Sequence, residues 1–525
     1  MSDERDMSST AASAPDEATP LTHRQILVVF TGLLLGMLLA ALDQTIVATA
    51  LPTITGELGG LNHLSWVVTA YLLAATVSTP LYGKLGDLYG RKRLFQVAIV
   101  IFLVGSVLCG VAQTMGQLIL FRAVQGLGGG GLIVLAMAIV GEVVSPRERG
   151  RYQGDFGAVF GAASVAGPLL GGFLTDEVSW RWVFYVNVPF GIAALVVTAL
   201  VLPPSTRHGN PKVDYLGATL LTAAITSVVL LTTWGGTEYE WRSPMIVGLA
   251  VGSAVLLGLL VIVERRAPEP IVPVHLFGVR TFNVASSVSF IIGMAMFGAI
   301  SFLPLFLQVV SGASATNSGL LLLPLMLGVV GASIISGQLI SRTGHYKVFP
   351  VVGCGLAAVA MWLLSTMGAA TGQSTVTLYM IVLGIGIGLT MQTLILAVQN
   401  VVPVTELGVA TSSVSFFRSM GGSIGVAVFG AVFNNLLVDR IGSAVDIGEG
   451  GGFTPAAVRQ LPEAVRSVFV SGFADALTTV FLFATPLVAL GFVLAAMLRE
   501  VPLRSSIEAE PAPEPGSEPE PALLH

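Results

Sequence analysis

Charge is what this sequence has least of. Of its 525 residues 10% are charged and 54% are hydrophobic, whereas a soluble domain carries roughly a quarter charged residues. So little charge cannot cover a water-soluble surface. Cysteine is scarcer still: Cys109 and Cys354 each sit inside an apolar run. They read as small packing residues, and no disulfide or metal framework follows from them. No His/Cys/Asp cluster and no nucleophile triad is spaced for catalysis, which argues against an enzyme. His63, His275 and His345 fall in loops. The run Gly126–Gly131 resembles a phosphate cradle, but Leu132 and Ile133 follow it instead of the Gly-Lys-Ser/Thr that a P-loop needs. Nucleotide binding is excluded on that ground. The polar first stretch lacks the basic start and short apolar segment of a cleaved signal peptide, so the first span is expected to direct insertion.

Long apolar runs are what the chain does have. A bilayer-spanning helix takes about 20 mostly apolar residues, and in hydrocarbon every backbone polar group needs an internal partner. The runs are too continuous for the alternating strands of a barrel, so the expected fold is all-α. Fourteen spans are expected, at 26–50, 64–82, 94–112, 117–140, 156–175, 182–202, 216–234, 245–263, 282–309, 317–340, 348–367, 375–398, 408–433 and 477–498. With a cytoplasmic N-terminus, eighteen of the 25 Lys and Arg residues fall in inside segments, five in outside segments, and Arg122 and Arg418 inside spans. That bias obeys the positive-inside rule, and both termini are then cytoplasmic. Residues 1–25 and 499–525 read as disordered tails, the latter mixing Glu and Pro over Glu508–Pro521. No basic, aromatic-rich face points to nucleic acid.

Gly83, Asp87 and Gly90 share their spacing with Gly337, Ser341 and Gly344. Both triplets follow the second span of a six-span group. Two related bundles, 26–202 and 282–498, with a two-helix insert at 203–281, explain the echo. Such repeats are common in secondary transporters, with the substrate site between halves. An outer segment is expected over 435–476, with Thr454-Pro455 as a helix start.

Asp43 is the sharpest chemical signal. It lies well inside the first span in Leu42-Asp43-Gln44-Thr45-Ile46-Val47, where a charge costs on the order of 3 kcal/mol to insert. Such a residue faces a cavity or a partner and is a candidate for reversible protonation; the alternative is a structural hydrogen bond at a helix interface. Arg122 could pair with a buried carboxylate or snorkel to the membrane surface. Arg418 could play a similar part or only anchor packing. In the turn Gly83–Arg93, glycines permit close helix approach and Asp87 can cap a helix or pair with arginine; the alternative is a static loop. In the fifth span, Gly161–Gly172 carries small residues at four-residue spacing around Pro168. That pattern suits a hinge or seal, or ordinary close packing.

Together these segments resemble a family. Gly83–Arg93 is similar to the loop between spans 2 and 3 of the major facilitator superfamily. Leu42–Pro52 resembles the span 1 motif of its fourteen-span drug:proton antiporters of the EmrB/QacA type. Arg122–Gly126 resembles the span 4 motif, Gly161–Gly172 the span 5 antiporter motif, and Trp180–Pro189 this same branch. The resemblance implies proton coupling by Asp43 and Arg122, gating by Gly83, Asp87, Gly90 and Arg91, and a seal at Gly161, Gly167, Pro168, Gly171 and Gly172. Spans 9 to 14 hold no second mid-membrane carboxylate, which counts against dicationic cargo.

The expected activity is proton-coupled efflux of small lipophilic or cationic molecules by alternating access, without any cofactor beyond the coupling protons. Export of an endogenous metabolite, antibiotic or lipid on the same fold is the rival, and a non-transporting scaffold or sensor is a further one. Expected partners are small-molecule substrates and membrane lipids, with no nucleic acid, and the expected state is a monomer in the cytoplasmic (inner) membrane. Gln44, Tyr71, Gln125, Phe302, Phe306, Gln308, Gln392 and Arg418 are the candidate cavity residues. One proton yields about 2.3 kcal/mol per 100 mV and about 1.4 kcal/mol per pH unit, enough for roughly a hundredfold to thousandfold gradient of a neutral solute.

Overall fold

The computed structural model describes residues 23–58, 64–202, 213–236, 238–313, 320–441, 458 and 462–503. His63, Thr454-Pro455, the linker 203–212 and most of the two tails lie outside them.

The described residues are helical almost throughout. The helices are α1 (His23–Leu58), α2 (Leu64–Tyr89), α3 (Arg91–Val111), α4 (Met115–Val143), α5 (Pro146–Glu177), α6 (Trp182–Tyr185) and α7 (Asn187–Val201). There follow α8 (Tyr215–Trp234), α9 (Pro244–Glu264), α10 (Arg280–Val309), α11 (Leu323–Thr343), α12 (Val348–Ser365), α13 (Gln373–Val401), α14 (Leu407–Ile441) and α15 (Glu463–Ala496). Among the described residues, 13 helical segments are long and apolar enough to cross a membrane, α6 and α7 forming one crossing. The remaining expected span is α2, 26 residues long but more polar. Its hydroxyls find partners inside the bundle: Ser78 bonds Ala75 O, and Thr79 bonds Ala75 O and reaches Gly130 O of α4. A helix that faces protein on most sides need not be apolar all round.

Several helices run past their expected bounds, α1 to Leu58 and α5 from Pro146 among them, and two differences change the reading. The segment expected as a turn over Gly83–Arg93 is helix up to Tyr89, and the chain reverses at Gly90 alone, with φ at 94°. Only glycine adopts that backbone at no steric cost. The outer segment expected over 435–476 is helical at both ends, α14 running to Ile441 and α15 starting at Glu463. An aromatic seam carries the packing across: Phe433 meets Phe473 edge-on at 5.1 Å, and Phe473 stacks with Phe469 at 6.1 Å.

α1 to α7 pack among themselves, as do α10 to α15. At the centre of the first group α4 is pressed between α2 and α3. Its run Gly126–Gly131 is the seam: Gly126 lies on the Tyr71 backbone, Gly130 on Ala75, and Gly128 on Ala98 and Phe102. The glycines thus serve close backbone approach, not a phosphate. The pair α8–α9 wedges against the junction of the two groups. Leu221, Ile225 and Val229 of α8 pack with Val77 of α2 and Met420 of α14, and Trp234 meets Trp66 at 5.6 Å. On the perimeter, Val97, Val100, Val104, Val107 and Val111 of α3 are all exposed. Their spacing of three and four makes one continuous stripe, an apolar surface that suits hydrocarbon and not water.

Candidate functional site

The two bundles touch chiefly at one end, the one that carries Lys84, Arg91, Arg147, Arg149, Arg342 and Lys347, called here the basic end. Asp87, near the end of α2, reaches across to the start of α14. Its Oδ1 accepts from Gly408 N at 3.0 Å and its Oδ2 from Val409 N at 2.9 Å. These are among the amides a helix start leaves unpaired, and a carboxylate there also meets the positive end of the helix dipole. Arg91 holds Asp87 in place through Nη2 at 2.7 Å, ties to Glu142 at 3.1 Å, and donates to Val404 O at 2.6 Å on the far side. Arg149 complements this at a helix end: it donates to Val144 O, Gly141 O and, across the interface, Gln399 O. Gln153 Nε2 bonds Gln399 Oε1 at 2.8 Å, and Gln399 Nε2 continues to Thr411 Oγ1 at 2.9 Å.

The repeated triplets occupy equivalent places in this interface. Gly83 lies against Gly408 and Ser412 of α14, and Gly337 lies against Gly150 and Gly154 of α5. Asp87 accepts amides of α14, while Ser341 Oγ accepts the Arg151 amide of α5 at 3.0 Å. Gly90 and Gly344 both end their helices at positive φ, 94° and 76°.

Asp43 lies elsewhere, at 0% exposure inside the first bundle. Arg122 of α4, 1% exposed, donates Nη1 to Asp43 Oδ2 at 2.5 Å and to Gln125 Oε1 at 2.8 Å. The other carboxylate oxygen accepts from Gln125 Nε2 at 2.7 Å and Asn187 Nδ2 at 3.3 Å. Ser106 of α3 closes the network, accepting from Gln125 at 3.1 Å and Asn187 at 3.0 Å while donating to Phe184 O at 2.8 Å. The guanidinium carbon sits 4.3 Å from the centre of the Tyr71 ring, close enough for cation–π attraction. Five spans thus converge on one ion pair. Arg122 does not snorkel, because its counter-ion is buried with it.

Sequence reading named Asp43, Arg122, Tyr71 and Gln125 but missed Ser106 and Asn187 as partners. Both are polar residues within apolar surroundings, which was the available signal. Tyr71 and Gln125 belong to this sealed network and not to an open wall. Gln44, next to Asp43, is exposed, and Gln308 is half-buried. Phe302 and Phe306 are buried in the core of the second bundle, Phe302 packing on Phe433 at 6.0 Å. Gln392 lines a narrow gap with Gln153 and Ser333 between the bundles, and Arg418 is buried in the second bundle.

The small residues of α5 divide by neighbour. Gly154, Gly157 and Gly161 pack on Ser333 and Val330 of α11, whereas Gly167 and Gly171 pack on Thr45, Ile46 and Thr49 of α1. Thr45 Oγ1 also donates to Ala163 O at 2.9 Å. Pro168 sits within α5 directly after Gly167, inside the second set, and Gly172 faces open space. One helix therefore joins the Asp43-bearing helix to the opposite bundle.

The profile of the Major Facilitator Superfamily matches residues 33–426. The chain is 50% identical over 479 residues to an uncharacterised MFS-type transporter of Mycobacterium tuberculosis, covering 91% of this chain and 70% of that one. It is 38% identical over 506 residues to the multidrug transporter protein MdtP of Bacillus subtilis, covering 91% and 93%. In fold it is similar to the crystal structure of the human organic anion transporter MFSD10, with a TM-score of 0.60 over 90% of this chain and 99% of that one at 15% identity.

Proposed function

Since this chain belongs to the Major Facilitator Superfamily and is a multi-pass membrane transporter, we propose that it expels small lipophilic or cationic molecules from the cytoplasm in exchange for protons. The observation that carries the reading is the sealed Asp43–Arg122 pair on a helix that α5 links to the opposite bundle. In this proposal the basic end faces the cytoplasm, as the loop charges favour, and both termini lie on that side of the inner membrane. The state described is then closed to the cytoplasm.

Asp43 is the proton-carrying group. Ionised, it is held by Arg122, Gln125 and Asn187, and α1 is pinned to α4 and α7. A proton arriving from outside removes the charge that this network satisfies, and Arg122 loses its counter-ion. A buried guanidinium without a partner is costly, so the pair separates and the packing of α1 on α4 changes. Because α1 packs on α5 through Thr45 and Thr49, and α5 packs on α11 through Gly154 to Gly161, a tilt of α1 is passed to the contact between bundles. The latch of Asp87, Arg91 and Arg149 then opens, cargo enters from the cytoplasm, and loss of the proton to that side resets the pair. Rigid bundles rocking around a central site is the usual motion of such repeats, and a latch of helix caps suits it because it breaks without unfolding anything.

Asp43→Asn tests the scheme. In reconstituted vesicles the variant should insert and bind dye substrates, yet the accumulation ratio sustained by an imposed gradient of one pH unit should fall about tenfold, the ~1.4 kcal/mol that one proton supplies. Undiminished gradient-driven export would remove Asp43 from coupling.

A further inference from the structure

Resting on that transport reading, we propose that Arg418 is the receptor for an anionic group, a carboxylate, carried by the cargo. Among the described residues four arginines are buried, and three of them are satisfied: Arg91 and Arg122 by carboxylates, Arg149 by carbonyls. Arg418 is 8% exposed, forms no hydrogen bond or ion pair among the described residues, and has a fully enclosed Nη1 without a partner. A lone guanidinium buried in a protein is heavily penalised unless something brings negative charge to it. Among the described residues no carboxylate pairs with it. From 282 to 433 the only acidic residue is Glu406, which sits at the basic end against His275 at 3.0 Å.

The surroundings are those of a receptor awaiting a polar group. Gln399 of α13 bonds Thr411 of α14 at 2.9 Å, which fixes the level of these antiparallel helices. Two turns back along α13 and two turns forward along α14 lead to Gln392 and Arg418, which therefore share a level. Gln392 is buried and its Oε1 has no partner; Ser415, one turn from Arg418, is buried and its Oγ has none either. Gln392 faces the gap between the bundles, with Gln153 and Ser333. The planar fork of arginine matches a carboxylate with two parallel bonds, and the Ser415 hydroxyl adds a neutral donor. Cargo of this class is a lipophilic acid or zwitterion. In the first bundle the carboxylate of Asp43 is already enclosed with Arg122.

The test uses three pyrene probes on one skeleton: pyrenebutyrate, pyrenebutanol and pyrenebutyl-trimethylammonium. Their Kd values are read by fluorescence on the full chain in phosphatidylcholine nanodiscs. The wild type should bind the carboxylate at least about tenfold more tightly than the alcohol, and in Arg418→Gln the ratio should fall to near one, with Arg418→Lys between. A monodisperse elution profile and an unchanged melting temperature for Arg418→Lys separate this from misfolding. Wild type showing no preference for the carboxylate, including no binding of it, overturns the proposal, as does a preference that survives Arg418→Gln. Loss of the preference on adding phosphatidylglycerol also overturns it, by assigning the site to a lipid headgroup. Gradient-driven export of the alcohol probe in vesicles reports on the transport reading separately, because that probe carries no charge for Arg418 to hold or repel.

Discussion

An aspartate and an arginine enclosed together among helices hold each other in place, and each is costly without the other. Removing one partner of a buried pair costs about 3–5 kcal/mol, whereas replacing both by neutral groups is often near neutral. Arg122→Gln and Asp43→Asn should therefore each lower thermal stability in detergent, because each leaves a buried partner without its counter-ion. The double variant Asp43→Asn/Arg122→Gln should recover much of the loss, and melting curves of the four proteins give the coupling energy. Strictly additive losses would show that the pair is not an energetic unit. Asp43 was legible in the sequence because a lone acid in an apolar run has few explanations. Its enclosure was not legible, since spacing along α1 says nothing of which turns of α3, α4 and α7 stand opposite. Ser106 and Asn187 escaped notice for the same reason: a single hydroxyl or amide in a span is too common to point anywhere until its neighbours are known.

Helix ends make the polar part of the contact between the bundles, and the small residues inside α5 make the close packing on α11. Asp87 uses the free amides of α14, Arg149 the free carbonyls near the ends of α4 and α13, and Gly83 and Gly337 let the elements come close enough for both. Asp87→Ala removes two amide acceptors and the partner of Arg91 at once. Turnover should slow severalfold while insertion stays intact, and a cysteine label placed on the buried basic-end face should react faster than in the wild type. Gly83→Val should give the same labelling change by bulk alone, since its side chain meets Ser412 and the Gly408 backbone. Unchanged labelling in both variants would mean this contact does not hold the basic end shut. The sequence carried the triplet repeat, because spacing survives in one dimension. It hid the helical path to Tyr89, since glycines at 83 and 86 read as a turn when their partners across the interface are invisible.

Taken whole, the molecule is two bundles closed on each other along one end, with α5 shared between their cores. If the bundles must part there for cargo to pass, joining them covalently stops the cycle. A Cβ at Gly161 would stand 3.5 Å from that of Val330, within the range a disulfide requires. The native thiols Cys109 and Cys354 are both buried, so an engineered pair can be oxidised without interference. In Gly161→Cys/Val330→Cys, a membrane-permeant oxidant should abolish export, and a permeant reductant should restore it. Each single-cysteine variant should be insensitive to the same treatment. The location of the pair matters to the outcome. It lies where α5 passes from contact with α11 to contact with α1, so a bond there blocks separation of the bundles while leaving the Asp43 network untouched. Proton binding should then persist in the oxidised protein while export does not, which would separate the coupling site from the moving contact. Export that continues with the bond fully formed would mean that cargo moves without the bundles parting at α5.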